Sequence, residues 1–462
     1  ADKLLPPILM GIVGTVLVFW SLSGFILQIV QRMKNTYLKD TNMFVLRQIN
    51  NKINTMVASM SVICLMLFMT ISILSSSLAL RNTMQRELVE MTPVDLNLYK
   101  TANLPESYMK YGKEVKTTEA QRADSRITIQ ETLKNNGLDM TLLKDVIEIP
   151  IYATNDLTMG DFLKNKLQSI KLEFPMLAFE TAEEIVKISD YNKIASLYGI
   201  EQYELKENEY IVLCDFDGIG TIRDRVLADE NILEIAGKEY KSKYNECKSG
   251  FIMMSTSHMN TGIILVPDSC NLTDDMKEKQ FLVANFNANT DEEKQEIEEI
   301  FRSNDSVLIQ NLNENGLEID GMTKISIIES SVGVATIVTF IAIYLGIIFL
   351  IASSAILALK QLTESSDNKQ RYTILRKIGC DEKMINKSLF RQIAIFFGVP
   401  LILAIIHSVF GIQFAIELMS GLASKEDLLP SAVATIIIIG IIYGAYFMAT
   451  YFGSKNIIKE EK

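Results

Sequence analysis

Few residues of this chain have the types and the spacing that catalysis requires. Its only two histidines, His258 and His407, lie far apart in the sequence. A His-Glu-x-x-His pattern, a Gly-x-Ser-x-Gly pattern and a P-loop are all missing from it. The sequence therefore predicts no catalytic residue, no metal site and no bound cofactor. It also predicts that this chain does not hydrolyse ATP itself.

Weaker candidates occur in the middle of the chain. The run DFDGIG, which begins at Asp215, resembles the start of a calcium-binding loop. It lacks the third carboxylate and the glutamate twelve places on that such a loop uses, so a turn is favoured. Cys214, Cys247 and Cys270 fit one disulfide plus one free thiol as well as they fit three free thiols. We predict that no disulfide is essential, because a region of this length can be stable through its core alone.

A polar and basic stretch at 360–391 has the most specific pattern in the sequence. Tyr372, Leu375 and Ile378 recur at the spacing of one helix face. Arg371 and Arg376 fall on other faces of the same predicted helix. Side chains arranged in this way can pack on a protein partner and make charged contacts with it. The alternative is a solvated amphipathic linker, because basic helices are common beside membranes.

The same stretch contains the signals for a break between two helices. Gly379 stands where the end of a helix often needs a positive φ angle. Asp381 can cap a second helix, in which Met384, Ile385 and Leu389 form the apolar stripe. The sequence therefore predicts two short helices separated at Gly379, the second of which continues into an apolar run.

The elements that position this stretch are five long apolar runs. A run of 18 or more apolar residues without charge is typical of a membrane span. The linker at 31–55 has five basic residues and one acidic residue, and 360–391 is also basic, so both should lie in the cytoplasm. The fold class that follows is a polytopic α-helical membrane protein with five spans.

Several residues in these membrane segments have predicted structural roles. Phe44, Val45, Ile49 and Ile53 belong to an amphipathic helix that we expect to lie along the inner leaflet. Ser72 begins a group of serines small enough to let two helices approach closely. Pro400 should bend the fourth span, and His407 is expected to be a packed polar residue rather than part of a functional site.

The region 81–330 differs in composition from the rest of the chain. It holds 45 acidic and 27 basic residues, whereas the remainder holds 11 and 18. An acidic, water-facing domain on a membrane part with basic loops fits the positive-inside rule, and it would attract cations. Strands are predicted at 145–153, 209–216, 250–256, 262–267, 280–286, 306–312 and 324–328, and helices at 181–188 and 290–302, the second with a capping box of Thr290 and Glu293. This mixture predicts a large α/β or α+β domain.

The stretch QRYTILRKIGCDEKMINKSLFRQ resembles the signature loop of FtsX-like ABC transporter permeases. Arg371, Leu375, Arg376 and Gly379 match the pattern of that family, and Cys380 replaces its usual small alanine. The neighbouring stretches ALKQLTESSDNKQRY and VLRQINNKINTM resemble the Bce-type permeases of peptide-antibiotic resistance more narrowly. The resemblance covers the membrane segments and says little about the middle domain.

The resemblance implies a permease subunit that works with a separate ATPase, which is expected to be a dimer that uses the ATP. The ATPase-coupling loop would contain Arg371, Leu375, Arg376, Ile378, Gly379 and Asp381. The expected function is resistance to bacitracin-like peptide antibiotics that target lipid-linked cell-wall precursors, together with their possible sensing. A sensor histidine kinase and membrane lipids are further expected partners, and nucleic acid is not. The alternative function is an FtsX-like regulator that transmits ATPase cycles to extracellular wall hydrolases without transport.

These inferences divide the chain into three parts in a bacterial cell membrane. Residues 1–80 are expected to form two spans joined by a cytoplasmic amphipathic helix, and 81–330 an extracellular α/β domain. Residues 331–462 are expected to form an FtsX-like domain of three spans with the coupling loop at 360–391. Because the predicted topology puts residue 1 outside and the chain begins with Ala1, a preceding N-terminal half is also expected.

Overall fold

The computed structural model describes residues 5–32, 41–110, 113–229, 232–418 and 427–459. It divides the chain into two compact units, which are described here one at a time. The membrane unit comprises residues 1–83 and 335–462, and the sheet unit comprises residues 84–334. The α-helices are α1 (Leu5–Arg32), α2 (Asn42–Glu90), α3 (Glu119–Asp124), α4 (Ile129–Asn135), α5 (Met159–Leu163), α6 (Leu167–Glu173), α7 (Ile188–Tyr198), α8 (Asp217–Leu227), α9 (Asp291–Arg302), α10 (Val307–Glu314), α11 (Lys324–Asp367), α12 (Lys369–Lys377), α13 (Glu382–Leu418) and α14 (Leu428–Ile458).

Four helices among the described residues are long and apolar enough to cross a membrane. They are Val57–Glu90 within α2, the whole of α11, Glu382–Ala415 within α13, and α14. The first predicted span falls on α1, a helix of 28 residues that is not among these four. The four helices could therefore cross a membrane, and the fifth span stays a prediction.

Helix α2 is closely approached by three other helices of the membrane unit. A Cβ atom at Gly346 of α11 would lie 2.7 Å from Leu74, so only a glycine fits this contact. A Cβ atom at Gly411 of α13 would meet Phe68 and Ser72 of α2 at similarly short distances. The hydroxyl of Ser75 donates a hydrogen bond to Thr435 of α14 at 3.0 Å. The serines thus allow close packing, as the sequence predicts.

The sheet unit is built on one large mixed sheet. Its strands are β1 (Leu96–Thr101), β4 (Leu143–Tyr152), β5 (Glu184–Lys187), β6 (Glu209–Leu213), β7 (Ile232–Ile235), β8 (Lys238–Ser242), β9 (Ile263–Val266), β10 (Lys277–Phe286) and β11 (Asp320–Thr323), while β2 (Ser107–Lys110) and β3 (Lys113–Lys116) form a separate hairpin. The strand order in the large sheet is β11-β1-β10-β4-β5-β9-β6-β8-β7. The pairs β5–β9 and β6–β8 are parallel, and the other pairs are antiparallel. The predicted mixed α/β composition is confirmed.

The apolar side chains of the strands alternate between the two faces of the sheet, and both faces are buried. In β6, Ile211 and Leu213 pack in one apolar cluster, while Val212 and the following Cys214 pack in another. Successive side chains of a strand point to opposite faces, so a strand in which every residue is apolar needs cover on both sides. Helices and loops supply that cover, and the strands predicted around β4, β6, β9 and β10 are confirmed.

Four predicted elements of the sheet unit are wrong. Residues 181–188 contain strand β5 rather than a helix, because Ile185 and Val186 are buried on opposite faces of the sheet. Residues 306–312 start helix α10, with Ser306 accepting a hydrogen bond from the amide of Ile309. Residues 324–328 are the first turns of α11, and 250–256 form no strand. Short apolar runs do not distinguish a strand from a helix by period alone.

Candidate functional site

The break between the two loop helices is present where the sequence predicts it. Helix α12 ends at Lys377, and Gly379 has a φ angle of 96°. The amide of Gly379 donates to the carbonyl of Arg376 at 3.0 Å, and the amide of Cys380 donates to that of Leu375 at 3.1 Å. These bonds satisfy carbonyls that the end of a helix would otherwise leave unpaired. We call residues 369–392 the corner.

The start of α13 is also capped as predicted. The carboxylate of Asp381 accepts a hydrogen bond from the amide of Met384 at 2.7 Å. This bond satisfies one of the free amides in the first turn of the helix, and a carboxylate at this end is favoured by the helix dipole. Gly379 and Asp381 therefore fix where α12 ends and where α13 begins.

One face of α12 is buried and holds the helix in the membrane unit. Tyr372 and Leu375 are both buried, and Tyr372 donates a hydrogen bond to the amide oxygen of Gln392 at 3.1 Å. Ile378 does not continue this stripe, although the sequence predicts that it does. Its side chain is 71% exposed, because it follows the last residue of α12, where the helical spacing ends.

An exposed apolar pair lies beside the break. Ile374 is 58% exposed, and it stands four residues before Ile378. Two exposed basic residues are close to this pair in the sequence: Arg371 precedes Ile374, and Lys377 lies between Ile374 and Ile378. Apolar side chains of this size beside positive charges suit a protein partner whose surface combines an apolar recess with acidic groups.

Arg376 faces the inside of the corner. Its guanidinium forms an ion pair with Glu382 in the first turn of α13, and its side chain is 12% exposed. Its Nη1 atom is buried and has no hydrogen-bond partner within the described residues. The geometry favours a clamp across the break for Arg376, whereas the sequence suggests a direct partner contact.

Sequence reasoning missed the first turn of α2. The pattern there predicts an amphipathic helix along the inner leaflet, whereas the contacts described for its first residues lie within the membrane unit. Val45 is buried in the core of the membrane unit, and the ring of Phe44 packs on Tyr372. No local signal could reveal this contact, because more than 300 residues separate the two sides in the chain.

The two histidines have ordinary structural partners. The ring of His407 meets the edge of Phe68 in the membrane unit, with the ring centroids 6.2 Å apart. In the sheet unit, His258 lies 3.2 Å from a carboxylate oxygen of Asp215 and 3.5 Å from one of Glu90. The hydrogen bond with Asp215 raises the pKa of His258, against the opposing effect of burial.

The possible calcium loop and disulfide are not formed. The DFDGIG run is the junction of a strand with helix α8, which begins at Asp217. All five cysteines are free thiols. Within the described ranges, no group of three histidine, cysteine or acidic side chains could hold a metal ion.

The sheet unit contains a cavity of about 470 Å³. Its lining is largely apolar and includes five methionines, with the charged residues Glu183, Glu184, Arg223, Glu278 and Lys279 among its polar groups. Arg223 and Glu183 form a buried ion pair at this lining. A cavity of this volume is of the size that accepts small molecules, and methionine side chains adapt to varied apolar shapes.

Comparison with known proteins assigns the domain that carries the corner. A family model of the FtsX-like permease C-terminal domain matches residues 344–462. The bacitracin export permease protein BceB of Bacillus subtilis (strain 168) is 43% identical over 76 residues, which are 16% of this chain and 12% of that protein. The uncharacterized ABC transporter permease YvcS of the same strain is 22% identical over 453 residues, which are 97% of this chain and 63% of that protein. The ABC transporter permease protein YxdM of that strain is 31% identical over 90 residues, which are 19% of this chain and 14% of that protein.

The chain spans less than two thirds of the length of these relatives. The family match includes all of α12, the break at Gly379, α13 and α14. The four described helices of the chain that are long and apolar enough to cross a membrane agree with the role of a permease. The names of the relatives share this role. Residues 344–462 are therefore similar to the C-terminal domain of FtsX-like permeases, and the chain resembles ABC transporter permeases, including those of the Bce type.

Proposed function

We propose that this chain is the permease subunit of a transporter that confers resistance to peptide antibiotics, and that a separate ATPase binds the corner. The observation that carries the proposal is the exposed pair Ile374 and Ile378 beside the capped break at Gly379. A bound ATPase that moved on this pair would turn α12 against α13. Because α13 continues without interruption into an apolar span, such a movement would reach the membrane.

The substrate class is proposed from the relatives and from charge. BceB is named for the export of bacitracin, a role that belongs to that protein. Here the acidic excess of residues 81–330 would concentrate cationic peptides near the sheet unit. The methionine-lined cavity offers a place for an apolar side chain of such a peptide, or for part of a lipid-linked precursor bound to it. A sensor histidine kinase is proposed as a second partner.

The decisive experiment is co-purification of the full-length permease with its ATPase. Replacing both Ile374 and Ile378 by Glu should lower the retained ATPase at least about tenfold, because both side chains would be removed from a desolvated contact. The control is Val307→Glu in the sheet unit, which changes an apolar side chain of similar exposure, 64%. Equal retention by the double variant and by the control would refute the docking site. Recovery of a wall hydrolase together with the ATPase would favour the regulator.

The proposed topology places the sheet unit outside the bacterial cell and the corner inside, with five spans. Its basis is the basic excess of both predicted cytoplasmic loops. A cysteine introduced at Met176, whose side chain is 98% exposed, should react with a membrane-impermeant reagent in intact cells. A cysteine introduced at Ile378 should react only after the cells are permeabilised. Reaction of the second cysteine in intact cells would reverse the orientation.

A further inference from the structure

The first turn of α2 makes two polar contacts with α13 inside the membrane unit. The hydroxyl of Thr41 hydrogen-bonds to the hydroxyl of Ser388, which is fully buried. The guanidinium of Arg391 donates a hydrogen bond to the side-chain oxygen of Asn42. Ser388 and Arg391 are three residues apart, so both lie on one face of α13. We call residues 41–46 the bracket.

The bracket makes an aromatic contact with α12 as well. The ring of Phe44 meets the ring of Tyr372 at its edge, with 5.5 Å between the centroids and 70° between the planes. The hydroxyl of Tyr372 is held on its other side by Gln392 of α13. Val45 is buried beside these contacts, and its amide donates to the carbonyl of Thr41 at 3.1 Å. Thus the bracket contacts both helices of the corner.

The break itself provides little resistance to a change of angle. Among the described residues, no atom lies within 4 Å of the position that a Cβ atom at Gly379 would take. Across the break, Arg376 and Glu382 form an ion pair, but Glu382 is 62% exposed, and exposed ion pairs contribute little rigidity. The contacts of the bracket with Tyr372 and Ser388 are more buried than the ion pair across the break. Together with the buried hydrogen bond between Tyr372 and Gln392, they are placed to set the angle.

We infer that the bracket is a positioning element, which holds α12 and α13 at the angle needed for a partner bound at Ile374 and Ile378 to move the span. This inference rests on the proposed docking of an ATPase at the corner. The bracket does not form the docking surface, since Ile374 and Ile378 lie on the other side of α12 from Tyr372 and are exposed. Loss of the bracket should therefore leave ATPase binding in place and impair its effect on transport.

The first arm of the test measures the geometry without any ATPase. In the full-length permease with Cys380→Ser, the pair Thr41→Cys and Ser388→Cys should form a disulfide with a mild oxidant, because the two hydroxyls that they replace are in contact. The control pair is Met43→Cys with Ser388→Cys. Met43 lies in the same turn, but its side chain is 42% exposed. A cross-link in the control but not in the test pair would overturn the bracket.

The second arm separates binding from coupling. Phe44→Ala should reduce antibiotic resistance at least about tenfold, which corresponds to the loss of one aromatic pair and its buried area. The amount of permease in the membrane and the amount of ATPase retained should stay within about twofold of the wild type. Met43→Ala, one residue earlier and exposed, should change none of the three quantities. Tyr372→Leu should reproduce the phenotype of Phe44→Ala, because it removes the other ring of the pair.

The outcomes distinguish this inference from the proposed function. If Phe44→Ala keeps full resistance, or loses ATPase binding in proportion to resistance, the positioning role is wrong. If Ile374→Glu and Ile378→Glu retain the ATPase while the cross-link of Thr41→Cys with Ser388→Cys forms, the docking proposal fails and the bracket remains as a structural contact. If Phe44→Ala lowers membrane abundance, Asn42→Ala provides the second variant. It removes one hydrogen bond at a partly exposed site, and unchanged resistance in this variant would also count against the bracket.

Discussion

Replacing Glu183 by Ala should destabilise the sheet unit by about 3–5 kcal/mol, because it leaves the guanidinium of Arg223 buried without its counter-ion. The side chain of Arg223 is 2% exposed and that of Glu183 is 3% exposed. The Nη2 atom of Arg223 lies 2.9 and 2.8 Å from the two carboxylate oxygens of Glu183. Its Nε atom donates to the carbonyl of Thr261 at 2.7 Å, and the ring of Phe162 lies 4.9 Å from the guanidinium carbon.

The backbone closely covers one side of the guanidinium group of Arg223, which also lines the cavity of the sheet unit. A Cβ atom at Gly262 would lie 2.2 Å from Nη2 of Arg223, so the chain passes directly over the group on that side. Because the arginine cannot move in that direction without moving this segment, a large part of the cost of an unpaired buried charge should appear. Replacing the pair by Arg223→Met together with Glu183→Leu should restore much of the lost stability, since a buried ion pair adds little over an apolar pair of similar volume.

The measurement is thermal unfolding of the full-length permease. The extent of unfolding is monitored through the alkylation of the thiols of Cys214 and Cys270. Both thiols are buried in the sheet unit and become reactive when it unfolds. Glu183→Ala should lower the midpoint by roughly 10 °C for a unit of this size. The matched control is Glu173→Ala, which breaks the ion pair of Arg225 on the same helix, where both side chains are about half exposed. Equal midpoints for the two variants would show that burial does not determine the contribution of the pair.

The contrast between these two ion pairs shows what the sequence could not supply. Arg223 and Arg225 stand two residues apart on α8, and helical spacing places only Arg223 on the buried face with Ile219 and Val226, but this spacing does not identify its partner. Their partners, Glu183 and Glu173, are 40 and 52 residues away. Which pair is buried depends on how β5 and β9 join in the sheet, and β5 itself is wrongly predicted as a helix. Its four residues are too few to show a period against the flanking glutamates.

The corner could be predicted because its determinants are local. The break depends on a glycine with a positive φ angle, and the cap depends on an aspartate three residues before a free amide. Both act within one turn of helix, so the residue types and their spacing are sufficient to predict the corner. The exposure of Ile378 was missed, because it depends on the exact residue at which α12 ends. The bracket was missed for a different reason. Its contacts join residues 41–46 to α12 and α13, and only the packing of the whole membrane unit brings them together.

Gly379→Val should abolish most of the antibiotic resistance that we propose for this permease, while leaving the protein in the membrane. The φ angle of 96° lies in the region that costs a residue with a side chain at least about 1–2 kcal/mol, and a β-branched residue more. No atom lies within 4 Å of the position that a Cβ atom would take, so the cost comes from the backbone and not from a clash. The strain can be relieved by a turn of α12 against α13, which would misdirect a partner bound at Ile374 and Ile378.

The control for this variant is Gly379→Asn, because asparagine tolerates positive φ better than any β-branched residue. Both substitutions add a side chain of similar size to the same open space, so only the backbone preference separates them. Gly379→Asn should keep most of the resistance, and Gly379→Val should lose it, when both are compared at equal membrane abundance. Equal behaviour of the two variants would mean that the φ angle at the break has no role in coupling.

Arg376→Glu tests the same break by reversing a charge next to it. The new carboxylate would face Glu382, the residue that Arg376 now pairs with, and Asp381 lies next to it in the chain. Repulsion would open the angle between α12 and α13, and the double variant Arg376→Glu with Glu382→Arg should restore resistance by re-forming the pair in reverse. An Arg376 that instead contacted the ATPase directly would not be rescued in this way. Rescue by the charge reversal, with ATPase retention unchanged in all three proteins, would therefore place Arg376 within the corner as a clamp. Failure of the rescue, together with loss of ATPase retention, would place Arg376 on the surface that contacts the ATPase.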